Sequence, residues 1–76
     1  MEADALGRAI VYRRVKRVNE LVIDGRVYDE IEALVEFAHS LKAQLDGHLI
    51  EVGFDGWVHS YLKIDGQTVA RKTRFY

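Results

Sequence analysis

The sequence predicts an α+β domain: a short N-terminal hairpin, one helix, and a four-stranded antiparallel meander packed on that helix. Three observations carry this expectation. Aliphatic or aromatic residues precede Asp-Gly at Leu45-Asp46-Gly47, Phe54-Asp55-Gly56 and Ile64-Asp65-Gly66, and Asp-Gly tolerates the positive φ angles of tight hairpin turns. β-branched residues crowd the run from Arg8 to Val18, which favours a strand. Between these regions Ile31, Leu34, Val35 and Ala38 recur at helical spacing.

Taken in order, residues 1–7 are small and polar apart from Leu6 and read as a flexible tail. Arg8 to Val18 reads as a strand, its β-branched content outweighing a competing helical stripe at Val11, Val15, Val18 and Val22. Glu20–Ile23 and Arg26–Tyr28 flank Asp24-Gly25 as a short hairpin, with Val22 expected opposite Val27 and Leu21 opposite Tyr28. Asp29 offers an N-cap and Glu32, three residues on, completes a capping-box pair, so a helix is expected over Glu30 to Ser40. That helix has a longer rival, reaching Asp46 through Leu41 and Leu45 and ending at Gly47. Cross-strand pairing favours a hairpin there instead, with Leu41 opposite Val52, Lys42 opposite Glu51 and Ala43 opposite Ile50.

The meander then occupies residues 41–76. A two-residue turn at Asp65-Gly66 pairs Leu62 with Val69, Tyr61 with Ala70, His59 with Lys72 and Trp57 with Arg74. A strict two-residue turn at Asp55-Gly56 would split the apolar face. A three-residue connection, or a bulge at Gly53, gathers Leu41, Leu45, Ile50, Val52, Phe54, Val58, Leu62, Ile64, Val69 and Phe75 on one side.

Seventy-six residues make a single small domain, 1–76, near the size at which a hydrophobic core alone is barely sufficient; a homo-oligomer is therefore expected. The chain has no Cys, which excludes disulfides and thiolate metal sites. It has no apolar run long enough for a bilayer, and its acidic start does not resemble a secretion signal, so a soluble cytoplasmic protein with no membrane partner is the expectation. The net charge of -1 conceals three blocks. Residues 1–17 hold five cations against two acids, 18–62 hold two against nine, and 63–76 hold four against one. The ends are basic and the middle is acidic.

The candidate ligand-binding set is His59, Tyr61, Lys63, Lys72 and Arg74, with Trp57 at its rim, on the solvent face of the meander. Flat rings stack on bases while Lys and Arg neutralise phosphates. Arg13, Arg14, Lys16 and Arg17 extend the positive field if their strand lies alongside, and they also suit charge protection of a strand edge. A bland account sets Arg74 over Trp57 as a cation–π pair on an ordinary wet surface. Glu32 and Glu36 mark an acidic helix face suited to a protein partner. His39, His48 and His59 match no metal-ligand spacing. Ser40 and Ser60 each follow a His, but neighbours in a strand point to opposite faces and form no base–nucleophile pair.

The sequence thus points to a non-enzymatic binding module, without cofactor or metal, whose cationic and aromatic sheet face takes an anionic partner, nucleic acid or nucleotide. The near-neutral charge counts against nucleic acid, because dedicated binders are usually basic. The alternative is a protein-interaction or inhibitor domain acting through the acidic helix and an exposed strand, a type used by microbes and viruses.

Overall fold

The computed structural model describes residues 1–35, 39–55 and 59–73. Its described residues form eight strands and no helix, so the expected α+β fold gives way to an all-β one. In chain order the strands are β1 (Glu2–Ala5), β2 (Arg8–Val15), β3 (Val18–Ile23), β4 (Arg26–Glu32), β5 (Leu41–Leu45), β6 (His48–Asp55), β7 (His59–Ile64) and β8 (Gln67–Thr73). They make two antiparallel meanders, β1-β2-β3-β4 and β5-β6-β7-β8. The inner faces pack on one another through Ile10, Tyr12, Leu21 and Ile23 of the first sheet and Leu41, Ala43, Ile50, Val52 and Leu62 of the second. Edges meet as well, β4 beside β5 and β1 beside β8.

The expected helix is lost to β4. Val18 pairs with Glu32, Asn19 with Ile31 and Glu20 with Glu30, so the start of the helical stripe is consumed in a ladder of period two. Asp29, instead of capping a helix, accepts the backbone N–H of Lys42 at 2.9 Å and ties β4 to β5. Leu34, a member of the stripe, is 76% exposed. Pairing along a whole strand outweighs the modest intrinsic preference of Glu, Ala and Leu for helix. Glu36 and Ala38 lie outside the described residues.

Residues 1–7 are also a correction. Strand β1 pairs with β2, Glu2 facing Val11 and Ala5 facing Arg8, and the Met1 amino group donates to the Tyr12 carbonyl at 3.0 Å. The strand expected over Arg8 to Val18 breaks at Lys16, whose φ of 59° opens the β2–β3 turn. In the meander, Leu41 faces Val52, Lys42 faces Glu51 and Ala43 faces Ile50 as the sequence reading has it. Asp55 pairs with His59, leaving three residues between them, and Val52 pairs with Leu62; the odd connection keeps Ile50, Val52 and Leu62 on the inner face.

Two bulges shift the remaining registers. Val22 does face Val27, but Leu21 faces Asp29, with Tyr28 extruded. Lys63 faces Thr68 and Leu62 faces Ala70, with Val69 extruded. Val69 is therefore 46% exposed instead of buried, and Ala70 packs against the core in its place. An extra residue on one strand reverses the side-chain parity beyond it. Both bulges lie on outer strands, where they also discourage edge-to-edge pairing.

The matching bulges belong to an internal repeat. Gly7, Ile10, Leu21, Ile23, Asp24 and Gly25 of the first meander occupy the positions of Gly47, Ile50, Leu62, Ile64, Asp65 and Gly66 of the second. The offset is 40 residues before the central connection and 41 after it. Neither meander covers its own apolar face; each is the lid of the other.

Candidate functional site

Equivalent core residues make the two sheets alike, and their outer faces differ. On the first sheet, rows across the strands read Val11, Val22, Val27 and then Arg13, Glu20, Glu30. The equivalent rows on the second read Glu51, Lys63, Thr68 and then Gly53, Tyr61, Arg71. The first outer face thus carries valines and carboxylates. The second carries an aromatic ring among cations.

Strand β7 alternates buried Ser60 and Leu62 with half-buried His59, Tyr61 and Lys63, which fixes the last three on the outer face. The His59 and Tyr61 rings lie 6.3 Å apart, centroid to centroid, at 37°. Lys63 Nζ stands 6.0 Å from the Tyr61 centroid, within cation–π range. The Tyr61 hydroxyl reaches Asp55 only at 3.5 Å, too long to hold the ring firmly. Across the ladder Tyr61 faces Arg71 on one side and Gly53 on the other. A Cβ added at Gly53 would meet nothing within 4 Å, so the flank of the ring on that side is open. Lys63 has an acidic neighbour, Glu51.

The Val69 bulge changes the membership of this face. Lys72 pairs with inward-facing Ser60 rather than with His59, and turns to the far side of β8. Arg71, which the sequence reading missed, takes the outward place beside Tyr61. Lys72 instead lines a shallow hollow at the β1–β8 seam with Met1, Tyr12, Arg13 and Arg14. Trp57 and Arg74 lie outside the described residues.

The N-terminal cations separate by role. Arg13 faces outward on the first sheet and bonds Glu20 through Nε at 2.9 Å. Arg14 points inward, donating to buried Asn19 at 2.6 Å and to the Ala33 and Leu34 carbonyls at 2.8 and 3.2 Å. It pins the segment after β4, a structural duty that strand spacing alone does not reveal. Lys16 and Arg17 form the β2–β3 turn, at the same end of the molecule as His59 and Lys72. Glu32 stands on the first outer face opposite Val18, with Glu2, Asp4, Glu20 and Glu30, so the acidic surface is a sheet face and not a helix face.

The opposite end gathers four two-residue turns. Arg8 bridges Asp24 at 3.0 Å and Asp46 at 3.2 Å, joining turns of different sheets. The backbone N–H of Ala9 and then the Arg8 guanidinium hold the Asp24 carboxyl below its ordinary range. His48 Nδ1 lies 2.5 Å from Asp65, and His48 and the Leu49 N–H lower Asp65 likewise. His48 and His59 are thus at opposite ends of the fold, and no group of three or more His, Asp or Glu among the described residues is placed to hold a metal ion. No helix among the described residues is long and apolar enough to cross a membrane. In comparisons with protein-family models, curated proteins and solved structures, the chain matches none.

Proposed function

We propose that the chain is a binding module without catalysis of its own, and that the outer face of β6–β8 takes an anionic, base-bearing ligand of the nucleotide or single-stranded nucleic-acid class. The single observation that carries this reading is the Tyr61 ring, with Lys63 near its face, Arg71 across from it and an open flank at Gly53. A ring so placed stacks on a base while its two cations meet phosphate. The internal repeat supports the same reading: Tyr61, Lys63 and Arg71 stand where the other sheet has Glu20, Val22 and Glu30. The deciding measurement is fluorescence anisotropy of a labelled single-stranded oligonucleotide over a salt series. Binding that weakens with salt and with Tyr61→Ala supports the proposal; affinity indifferent to both overturns it.

A second reading rests on the first sheet's outer face, where carboxylates at Glu2, Asp4, Glu30 and Glu32 border valines, Val15 and Val27 among the exposed ones. This face suits a protein partner with a basic rim, a second copy of the chain included. Charge reversal at Glu30 and Glu32 separates the readings, because it abolishes protein capture and leaves oligonucleotide binding intact or stronger. Sedimentation at micromolar concentration tests the self-association: a single monomer mass rules it out.

A further inference from the structure

Cations stand on both sides of β8, and this bears on the length of the ligand. Arg71 faces outward beside Tyr61, whereas Lys72 is on the opposite side of the same strand, opposite Ser60. β8 is an edge of its sheet and lies beside β1. Beyond the seam, Lys72 shares its hollow with Arg13 and Arg14. Arg14 is held in place by Asn19 and two backbone carbonyls; all three acceptors are uncharged, so these bonds orient the guanidinium without neutralising it. Of the carboxylates nearby, Glu20 engages Arg13, Glu51 faces Lys63 and Asp55 lies 3.5 Å from the Tyr61 hydroxyl.

Resting on the ring-face reading above, we infer that the ligand is a strand bearing several phosphates, which passes from Tyr61 over the edge strand β8 into the hollow at the β1–β8 seam, and not a mononucleotide confined to the ring. Arg71 meets the first phosphate; beyond the crossing Lys72 meets the next beside the fixed Arg14 guanidinium, and Arg13 joins by exchanging its solvent-exposed Glu20 contact for phosphate. A mononucleotide has no phosphate to place in the hollow. A longer strand gains one counterion-releasing contact for each cation it reaches.

Three probes test this on the full chain: thymidine monophosphate, an oligothymidylate of about a dozen nucleotides, on the scale of one small binding fold, and inorganic polyphosphate. The oligothymidylate binds far more tightly than the monophosphate. Lys72→Gln and Arg13→Gln each lower the slope of its log affinity against log salt by about 0.7, and neither alters monophosphate binding. Equal affinity for the two nucleotides, or slopes unchanged by both variants, overturns the crossing. Polyphosphate separates the two claims: sensitivity to Lys72→Gln and Arg13→Gln with no response of any ligand to Tyr61→Ala sinks the ring reading and sustains the path. Circular dichroism of each variant checks that the fold is retained.

Discussion

Asp24 and Asp65 perform the same task in the two halves of the molecule. Each carboxylate follows a β3-type strand and reaches across its hairpin end, Asp24 to the Arg8 side chain and Ala9 N–H, Asp65 to the His48 ring and Leu49 N–H. Both carboxyls titrate below their ordinary value of 3.8 in the folded chain. The folded state therefore binds fewer protons than the unfolded one as pH drops. The stability these groups contribute is present above about pH 4 and is lost as pH falls through the lowered values. Thermal melts at about pH 5 and about pH 3 measure it: wild type loses stability between them, and Asp24→Asn with Asp65→Asn shrinks the loss. An unchanged loss in the double variant counts against the assignment.

Leu62 and its neighbour Tyr61 point to opposite sides of one strand, and their truncations have opposite signatures. Leu62 is fully buried, and Leu62→Ala costs about 2–5 kcal/mol in a denaturant melt. Tyr61→Ala costs much less stability and instead weakens oligonucleotide binding by about 1–3 kcal/mol. Were Tyr61→Ala the more destabilising of the two, the ring would belong to the core and the ligand face would have no site.

Arg14 provides a contrast within the basic run. Its bonds to Asn19, Ala33 and Leu34 make Arg14→Ala a stability change of about 1–3 kcal/mol, the range for disturbing a buried polar group. Urea melts read this loss. An Arg14→Ala chain of undiminished stability would show that the pinned segment needs no pin.

Leu6 holds a φ of 55°, close to the 52° of Asp46 at the equivalent turn. A branched apolar side chain is poorly suited to that region, and Asn is among the residues that visit it most readily. Leu6→Asn is expected to raise stability by up to about 1 kcal/mol, seen as a higher denaturant midpoint. A lower midpoint means that the Leu6 side chain contributes packing that outweighs its backbone strain.

Gly53 is the simplest probe of the ring's open flank. A Cβ there meets nothing within 4 Å, so Gly53→Val fits a strand without a clash and improves its β propensity. The new side chain also covers the side of Tyr61. Oligonucleotide affinity falls while the melting temperature holds or rises; a variant that binds as well as wild type shows that the ligand does not use this flank.

Much of the second meander was legible because turn chemistry and cross-strand pairing agreed: Asp46-Gly47 set Leu41 against Val52, and no tertiary force opposed it. The first meander is harder to read, because its local signals conflict with the sheet. Asp29, Glu32 and the apolar spacing from Ile31 resemble a helix start, and only the pairing of Val18 through Leu21 with β4 reveals a strand. The corrective signal was present as Leu21-Val22-Ile23-Asp24-Gly25 and Leu62-Lys63-Ile64-Asp65-Gly66, two versions of one phrase. The single extra residue in the central connection of the second repeat breaks the constant offset and obscures the match. Bulges at Tyr28 and Val69 were illegible for another reason, since a bulged residue looks like any other member of an alternating run until its partner strand is known. The candidate face suffered directly: Lys72 left it and Arg71 entered.

Among the described residues, every β-ladder joins strands adjacent in sequence, which has a kinetic consequence. Hairpins closed by two or three residues zip in microseconds, without a search for distant partners. What remains is the collision of two ribbons, each presenting an uncovered apolar side, and the barrier to folding lies in expelling water from between them. Such a chain is expected near the fast end for its class, with a transition state in which β-ladders are formed and the interior is still wet.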